Sequence, residues 1–529
     1  MPKAHSKSKN QLQNMKKITL LGLLSMSLLT YAQNPGSLDI TFGTGGKVVT
    51  SVNSGADKAF GVALQADGKI LVAGVTTSAT TGKDFVLLRY NENGSLDAEF
   101  GGNGIVSTDV QLGSDDEARS IVLQADGKIV VAGSSDDGNQ KKGAVVRYNI
   151  DGSIDTTFGT NGVALLSFEG TQNSEIKVVK IHALTGNILV GGSTAVNATK
   201  AKPVVARLTS AGVLDTSFNE TGIRLLWISS LDSQYLMTVE DLVVQTNGKI
   251  SCVGWRDFPS MSFSNDMWAC RINTNGTMDT AFSTDGVNTY NGGFNGNDRA
   301  FSLHLKDDAS MVVAGSGDNS SQSYAFVLFE VATNGVAGGT STQLAVNFNG
   351  LHRSFPYKLA VDSNGRYVMA GSTGTTNERS FALARVSTNY AIDNTFDTDG
   401  KVTTTFNNNL LNEAYDAVVQ PNNRIILVGY TGNDIAIARY FGEQTLSNPD
   451  FNANNHLSAY PNPVQSTLFI KTATPALNES FIVVDFQGRV MINGFLSAET
   501  NEINVENLSS GIYFFKATSS DKTLKFVKN

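Results

Sequence analysis

The sequence predicts an all-β protein: a seven-bladed β-propeller of four-stranded repeats of about 60 residues, followed by a small C-terminal Ig-like β-sandwich. Three observations carry that expectation. The chain repeats itself at a nearly fixed period, each period holds several short apolar runs separated by turn residues, and those runs are apolar on successive positions rather than alternate ones.

The period is read from one element. Gln65-Ala-Asp67-Gly68-Lys-Ile-Leu-Val-Ala-Gly74 returns as Gln124-Ala-Asp126-Gly127-Lys-Ile-Val-Val-Ala-Gly133, and more loosely before Gly192, Gly254, Gly315, Gly371 and Gly429. The steps between these glycines are 59, 59, 62, 61, 56 and 58 residues, which defines seven units. Within the first unit, strands are expected at 47–52, 59–65, 69–73 and 84–90. Asp67-Gly68 between two apolar runs is a hairpin signal, since a tight turn needs positive φ. Runs such as Ile70-Leu-Val-Ala73 have no polar face, so both faces of each sheet should be covered by neighbouring sheets. A closed ring satisfies this for every unit, whereas a linear β-solenoid, the structural alternative, uses shorter coils and needs no hairpin in each.

A second internal regularity tests closure. Five junctions place an Arg eight residues before an Asp: Arg89/Asp97, Arg147/Asp155, Arg207/Asp215, Arg271/Asp279 and Arg385/Asp393. At the remaining junction both are replaced, by Glu330 and Gly338. Joint loss points to an ion pair, because an Arg stripped of its carboxylate is penalised when buried; independent drift of one degenerate unit is the bland alternative. The last Arg, Arg439, lacks a following Asp, and the first Asp, Asp39, lacks a preceding Arg. The expectation is that Gly36–Gly43 docks beside the last unit and sets Asp39 on Arg439.

These motifs, the Leu-Asp-x-Thr-Phe-Gly segment, the Asp-Gly-Lys-Ile-Val-Val-Ala-Gly hairpin and the Ala-x-x-Arg-Tyr strand, resemble the delta-60 repeat family over residues 35–441. The resemblance implies a propeller-like secreted repeat protein and brings no catalytic residues with it.

The two ends of the chain concern location. Residues 1–32 have the pattern of a secretory leader: Lys16-Lys17, the apolar run 18–29, and Thr30-Tyr31-Ala32 with small residues where a signal peptidase needs them. Cleavage is expected before Gln33, with Met15 as the true translation start. The apolar run is too short to span a bilayer, and no other stretch is long enough, so no transmembrane segment is expected.

After the repeats (33–442) and an Asn-rich linker (443–456), residues 457–529 contain short apolar runs at 466–473, 481–486, 488–495 and 512–517, the pattern of a small sandwich. This tail carries Tyr460-Pro461-Asn462-Pro463, then Val484-Asp485-Phe486-Gln487-Gly488-Arg489-Val490, then Leu508-Ser-Ser-Gly511-Ile-Tyr513, and finally Lys525-Phe-Val-Lys528. It resembles the type A C-terminal sorting domain of type IX secretion substrates. That resemblance implies recognition of 457–529 by the outer-membrane translocon and a sortase, and a final location that is extracellular or on the outer-membrane surface.

Composition limits the function further. Of 529 residues, 41% are hydrophobic and 17% charged, which excludes a disordered chain, and two Cys exclude a disulfide scaffold. Lys+Arg number 40 against 48 Asp+Glu, for a net charge of −8. Removing 1–32, with five Lys and no acid, leaves 35 against 48, or −13. No nucleic-acid partner is expected of so acidic a chain. The histidines lack metal-site spacing, and neither a nucleophile elbow nor a phosphate-cradling loop is present. No catalytic residue, metal or cofactor is therefore expected.

Ser-Thr-Asp-Gly286 and Asp-Thr-Asp-Gly400 look faintly like calcium loops, but the matching segments of other units lack the carboxylates, so turns are the better reading. Cys252 and Cys270 fall on consecutive strands and are either a disulfide or two buried thiols. The fourth unit departs most from the repeat, with Trp255, Phe258 and Phe263 in one connection. These aromatics form either a platform for a glycan or protein ligand or local packing. The reading is a secreted binding or scaffold propeller. The alternative is an extracellular polysaccharide hydrolase or lyase acting at the channel mouth, which converging carboxylates would favour.

Overall fold

A computed structural model describes residues 34–226, 236–257, 266–290, 297–318, 324–338, 343–348, 353–406, 411–443, 458–471, 479–485, 488–497, 500–517 and 523–529. All regular structure among them is β-strand. Contacts divide the chain into two compact units, one spanning Ala32–Thr445 and the other including Leu446–Asn529.

The larger unit begins with β1 (Lys47–Thr50), β2 (Lys58–Leu64), β3 (Ile70–Ser78), β4 (Gly82–Tyr90) and β5 (Ile105–Thr108). The first sheet has the order β2-β3-β4-β5, all antiparallel. The same up-and-down pattern recurs to give seven four-stranded sheets, of which the third and fourth are linked through one bridge, Ala201 to Leu236. Grouping 47–52 with the first unit requires correction. β1 pairs with Asp434–Phe441 and completes the last sheet, in register from Lys47↔Ala438 to Thr50↔Ile435. Each sheet in this way takes its outermost strand from the next sequence repeat. The cause is the Asp-containing turn, which folds back on the Arg strand, as in the Leu96–Tyr90 bridge, before the outer strand begins.

Successive apolar residues are explained by where their side chains go. Ile70 and Val72 enter a core shared with the last sheet, alongside Phe42, Ile426 and Ile437. Leu71 and Ala73 enter a different core, with Phe100, Ala118 and Ile129 of the second sheet. Each sheet is an apolar layer between two others. Because the first sheet shares a core with the last, the series closes on itself, and the solenoid alternative is ruled out.

The smaller unit has a three-stranded sheet of Ser458–Tyr460, Thr467–Lys471 and Thr500–Asn504. A four-stranded sheet is formed by Val490–Leu496, Glu479–Asp485, Gly511–Ala517 and Thr523–Lys528. They enclose Leu468, Ile470, Val483, Phe515 and Phe526, all fully buried.

Candidate functional site

The innermost strands of the seven sheets are β2, 115–123, 174–181, 236–244, 299–305, 355–361 and 412–419. Each contains a β-bulge, with the ladder shifting at Ala59/Gly61, Ala118/Ser120, Ile176/Val178, Val239/Asp241, Ala300/Ser302, Phe355/Lys358 and Ala414/Asp416. A bulge re-aims the extra residue away from the ladder. The repeated glycine of the neighbouring strand makes room for it: a Cβ on Gly74 would overlap the carbonyl of Lys58, and one on Gly133 that of Glu117. The glycine that sets the period therefore exists to accommodate the bulge.

The bulged residues are Phe60, Arg119, Lys177, Glu240, Phe301, Tyr357 and Tyr415. All seven line one cavity of about 430 Å³. In ring order they divide into two arcs. Phe301, Tyr357, Tyr415 and Phe60 form a continuous aromatic arc, with successive ring centroids 5.1, 4.8 and 4.9 Å apart. Arg119, Lys177 and Glu240 form a charged arc. Arg119 lies 2.5 Å from Glu117 and its guanidinium 4.1 Å from the Phe60 ring, so it joins the arcs. Lys177 pairs with Glu175 at 3.1 Å.

Further along the walls, Trp255 donates its indole N–H to Glu240 at 2.9 Å and carries Arg299 4.2 Å from its ring. Arg353, Phe355 and Arg379 complete that side. Arg379 pairs with Glu413, which also accepts the Tyr415 hydroxyl at 2.6 Å. Arg353 has no carboxylate within ion-pair distance among the described residues. One level along the strands from the bulges, Asp241 accepts the Ser302 hydroxyl and the Leu303 amide and lies 3.7 Å from Lys180. Asp416 likewise accepts the Val62 amide at 2.9 Å and Lys358 at 3.2 Å. Both carboxylates clasp the following sheet.

The lining thus holds seven cationic side chains against three carboxylates, inside a protein of net charge −8. Burial pushes the Glu240 carboxyl above the usual range, against the pull of Lys177 and the Trp255 hydrogen bond. Asp241 favours the charged form of Lys180, but burial and the nearby Lys358 outweigh it and lower that ammonium. Burial also raises the Tyr357 and Tyr415 hydroxyls, aided in both by Glu413, so they stay neutral hydrogen-bonding groups.

Of the aromatic connection named from sequence, Trp255 stands in this wall; Phe258 and Phe263 lie outside the described residues. The bulged residues were not singled out from sequence. Their signal is positional: each lies fourteen residues before the repeated glycine, fifteen in the third unit, at a site whose type changes in nearly every repeat.

The Arg–Asp motifs lie elsewhere and form a girdle. Arg Nε to Asp Oδ2 distances are 2.7 Å for Arg89–Asp97 and Arg147–Asp155, 2.8 Å for Arg207–Asp215, 2.5 Å for Arg271–Asp279 and 2.8 Å for Arg385–Asp393. Arg439 meets Asp39 at 2.8 Å, and Arg424 approaches the same oxygen at 2.8 Å. The other Asp oxygen caps its own turn, as in Thr41 Oγ1 to Asp39 Oδ1 at 2.6 Å. The motif Phe lies beneath the guanidinium, 4.6 Å away for Phe42 and Arg439. Each Arg also donates to a carbonyl of the next turn, Arg89 to Ile150 at 2.6 Å and Arg439 to Glu92 at 2.5 Å. At the exceptional junction Glu330 instead accepts Lys306 at 3.1 Å and the Tyr390 hydroxyl at 2.6 Å.

Cys252 and Cys270 face each other in register as buried free thiols. Asp84, Asp109 and Asp116 bring carboxylate oxygens within 4.8 Å of one another between the first two sheets, spacing that a cation would fit. The calcium-like segments are turns, with Asp285 accepting the Val287 amide and Asp399 the Lys401 amide.

In the smaller unit, Asn462, between Pro461 and Pro463, accepts the Val527 amide at 2.9 Å and donates to the Lys525 carbonyl. Tyr460 stacks on Phe469 at 5.6 Å. Gly488 closes the turn in which Arg489 meets Asp485 at 2.7 Å. Gly511 pairs with Lys528, and Tyr513 packs on Phe526 and donates to Ser509. Two sequence motifs, those of Asn462 and of Gly511 and Tyr513, thereby meet the fourth, the final strand.

Closed four-stranded sheets around a lined cavity define a β-propeller, and family models agree. Residues 65–100, 124–158 and 185–218 match the DUF5122 β-propeller family, and residues 458–529 match the secretion system C-terminal sorting domain. The chain carries delta-60-type propeller repeats and a type IX sorting tail.

A search of curated proteins found no match. Among solved structures, the chain is similar to PorZ, an essential bacterial surface component of the type IX secretion system of Porphyromonas gingivalis (12% identity, TM-score 0.38, covering 88% of this chain). The chain spans 59% of the length of that protein. It is also similar to virginiamycin B lyase from Staphylococcus aureus (9%, 0.38, covering 74% of this chain and 98% of that one). A third similarity is to the polysaccharide lyase Uly1 (9%, 0.41, covering 72% and 89%).

Proposed function

We propose that this chain, after loss of a leader at 1–32, is delivered to the outer-membrane surface or beyond as a β-propeller that binds a ligand in its central cavity. In this reading 457–529 engages the translocon and sortase, 443–456 is a linker, and 33–442 is the binding body.

The observation that carries the binding assignment is the contrast between scaffold and lining. Seven bulges share one backbone geometry and one supporting glycine, yet present Phe, Arg, Lys, Glu, Phe, Tyr and Tyr to the same space. A position kept only for packing would carry the residue of the repeat, as the glycine does. Diversity at a fixed position is how repeat scaffolds build one asymmetric site.

Hydrolysis is less well supported, because it needs two carboxyl groups free to act as acid and base or nucleophile. Asp241 and Asp416 are already engaged by amides and lysines, which leaves Glu240 alone. The test is a screen of the mature chain and its Tyr357→Ser variant against immobilised glycans, peptides and small anions. Binding lost in the variant places the ligand in the cavity; binding retained at full strength refutes this site. Export is tested by deleting 457–529, which should leave the chain in the periplasm.

A further inference from the structure

Building on the cavity reading, we infer that the ligand is an acidic saccharide, a short segment bearing carboxylate or sulfate groups. Size is the first argument: about 430 Å³ lies within the range of small-molecule sites and suits one or two sugar rings. The division of the lining is the second. A sugar ring offers an apolar C–H face and a polar edge. The arc of Phe301, Tyr357, Tyr415 and Phe60 supplies contiguous aromatic surface for the face. The opposite arc supplies polar groups of both kinds for the edge.

Charge decides between neutral and acidic sugars. Arg119, Lys177 and Arg353 face the cavity with Glu240 as the single bulge-position carboxylate. Arg353 lacks a carboxylate partner among the described residues, so its fork is available for a bidentate anion contact. Glu240, tied to Trp255, accepts from hydroxyl groups. A fatty or purely aromatic anion would leave that acceptor unmatched and desolvated, which costs binding energy. Arg119, Lys177 and Arg379 already meet Glu117, Glu175 and Glu413, so the acidic preference rests on Arg353.

The experiment is calorimetric titration of the full mature chain with three disaccharides of matched size, one uronate-bearing, one sulfated and one neutral, with Trp255 fluorescence read in parallel. Trp255→Phe provides the background. The expected result is at least tenfold tighter binding of an acidic disaccharide than of the neutral one, weakening as salt rises, with a change in Trp255 emission. Arg353→Gln should reduce the acidic preference at least fivefold while leaving the thermal midpoint in place. If the neutral sugar binds equally well and perturbs Trp255, the cavity reading stands and the acidic assignment falls. If none of the three binds, the saccharide assignment is overturned; a Tyr357-dependent ligand of another class in the broader screen would then preserve the cavity reading alone.

Discussion

At the scale of single residues, the Leu-Asp-x-Thr-Phe motif reads as one physical device. Its Asp uses one oxygen to cap a turn and the other to hold an Arg that rests on the Phe. Asp39 and Arg439 are 0% and 3% exposed, so removing one leaves the other buried and uncompensated. Asp39→Ala is expected to cost about 3–5 kcal/mol in urea unfolding, and more than Asp215→Ala, whose pair is 12% and 15% exposed. Adding Arg439→Met to Asp39→Ala should recover part of the loss, because it removes the orphaned charge.

The girdle also sets a pH dependence. In Asp97, Asp155 and Asp279 burial raises the carboxyl, but hydrogen bonds and charge from Lys69, Lys128 and Lys249 with the paired arginines outweigh it and lower the net value. In Asp215 the Ser217 hydrogen bond, and in Asp393 those of Thr395 against burial, lead to the same direction. A depressed carboxylate stabilises the fold fully above the ordinary Asp range near about 4 and less as pH falls through the depressed values. The urea midpoint should therefore be flat from about pH 5 to 7 and fall below about pH 4. Asp155→Asn should flatten part of that acid loss.

At the scale of elements, the unit that matters is bulge plus glycine. The bulge turns one residue of each inner strand into the cavity, and the glycine opposite leaves space for the displaced carbonyl. At Gly133 no side chain fits without moving the Glu117 carbonyl. Gly133→Ala should cost about 1–3 kcal/mol, the range for overpacking a tight site, and should disturb Arg119, two residues along. The checks are thermal unfolding and binding of the cavity ligand by the variant. Gly102, which has open space around a Cβ, has a left-handed φ of 89°. Gly102→Asn, with a residue that tolerates that φ, is the mild control, expected within about 1 kcal/mol of the parent.

At the scale of the whole molecule, the legible and illegible parts of the fold differ by what repeats. Sheet identity, the apolar double faces and the Gly-set period are imposed on every unit, so a single sequence compared with itself displays them. The assignment of β1 is different. Nothing local in Lys47–Thr50 distinguishes pairing with its own repeat from pairing with Asp434–Phe441; the preceding turn, which seats Leu38 on Tyr440 and Asp39 on Arg439, decides it. The cavity lining was illegible for the opposite reason, since Phe60, Arg119 and their equivalents are defined by not repeating. Only alignment on the bulge makes them a set.

The non-local pairing leads to a prediction about closure. Residues 34–50 supply the last sheet with its fourth strand, its girdle carboxylate and backbone bonds from Gly36 to Phe441, Asp39 to Arg439 and Phe441 to Ser37. Without them the last sheet keeps three strands, Arg439 is orphaned beside Arg424, and the core containing Phe42 is opened. A mature chain lacking 33–50 should unfold at least 10 °C below the parent, or fail to fold cooperatively, in scanning calorimetry. A synthetic peptide of residues 33–50 added in trans should bind by strand addition and restore the midpoint, whereas the same peptide with Asp39→Ala should not. Equal stability of the truncated and full chains would show that the ring holds without its N-terminal clasp.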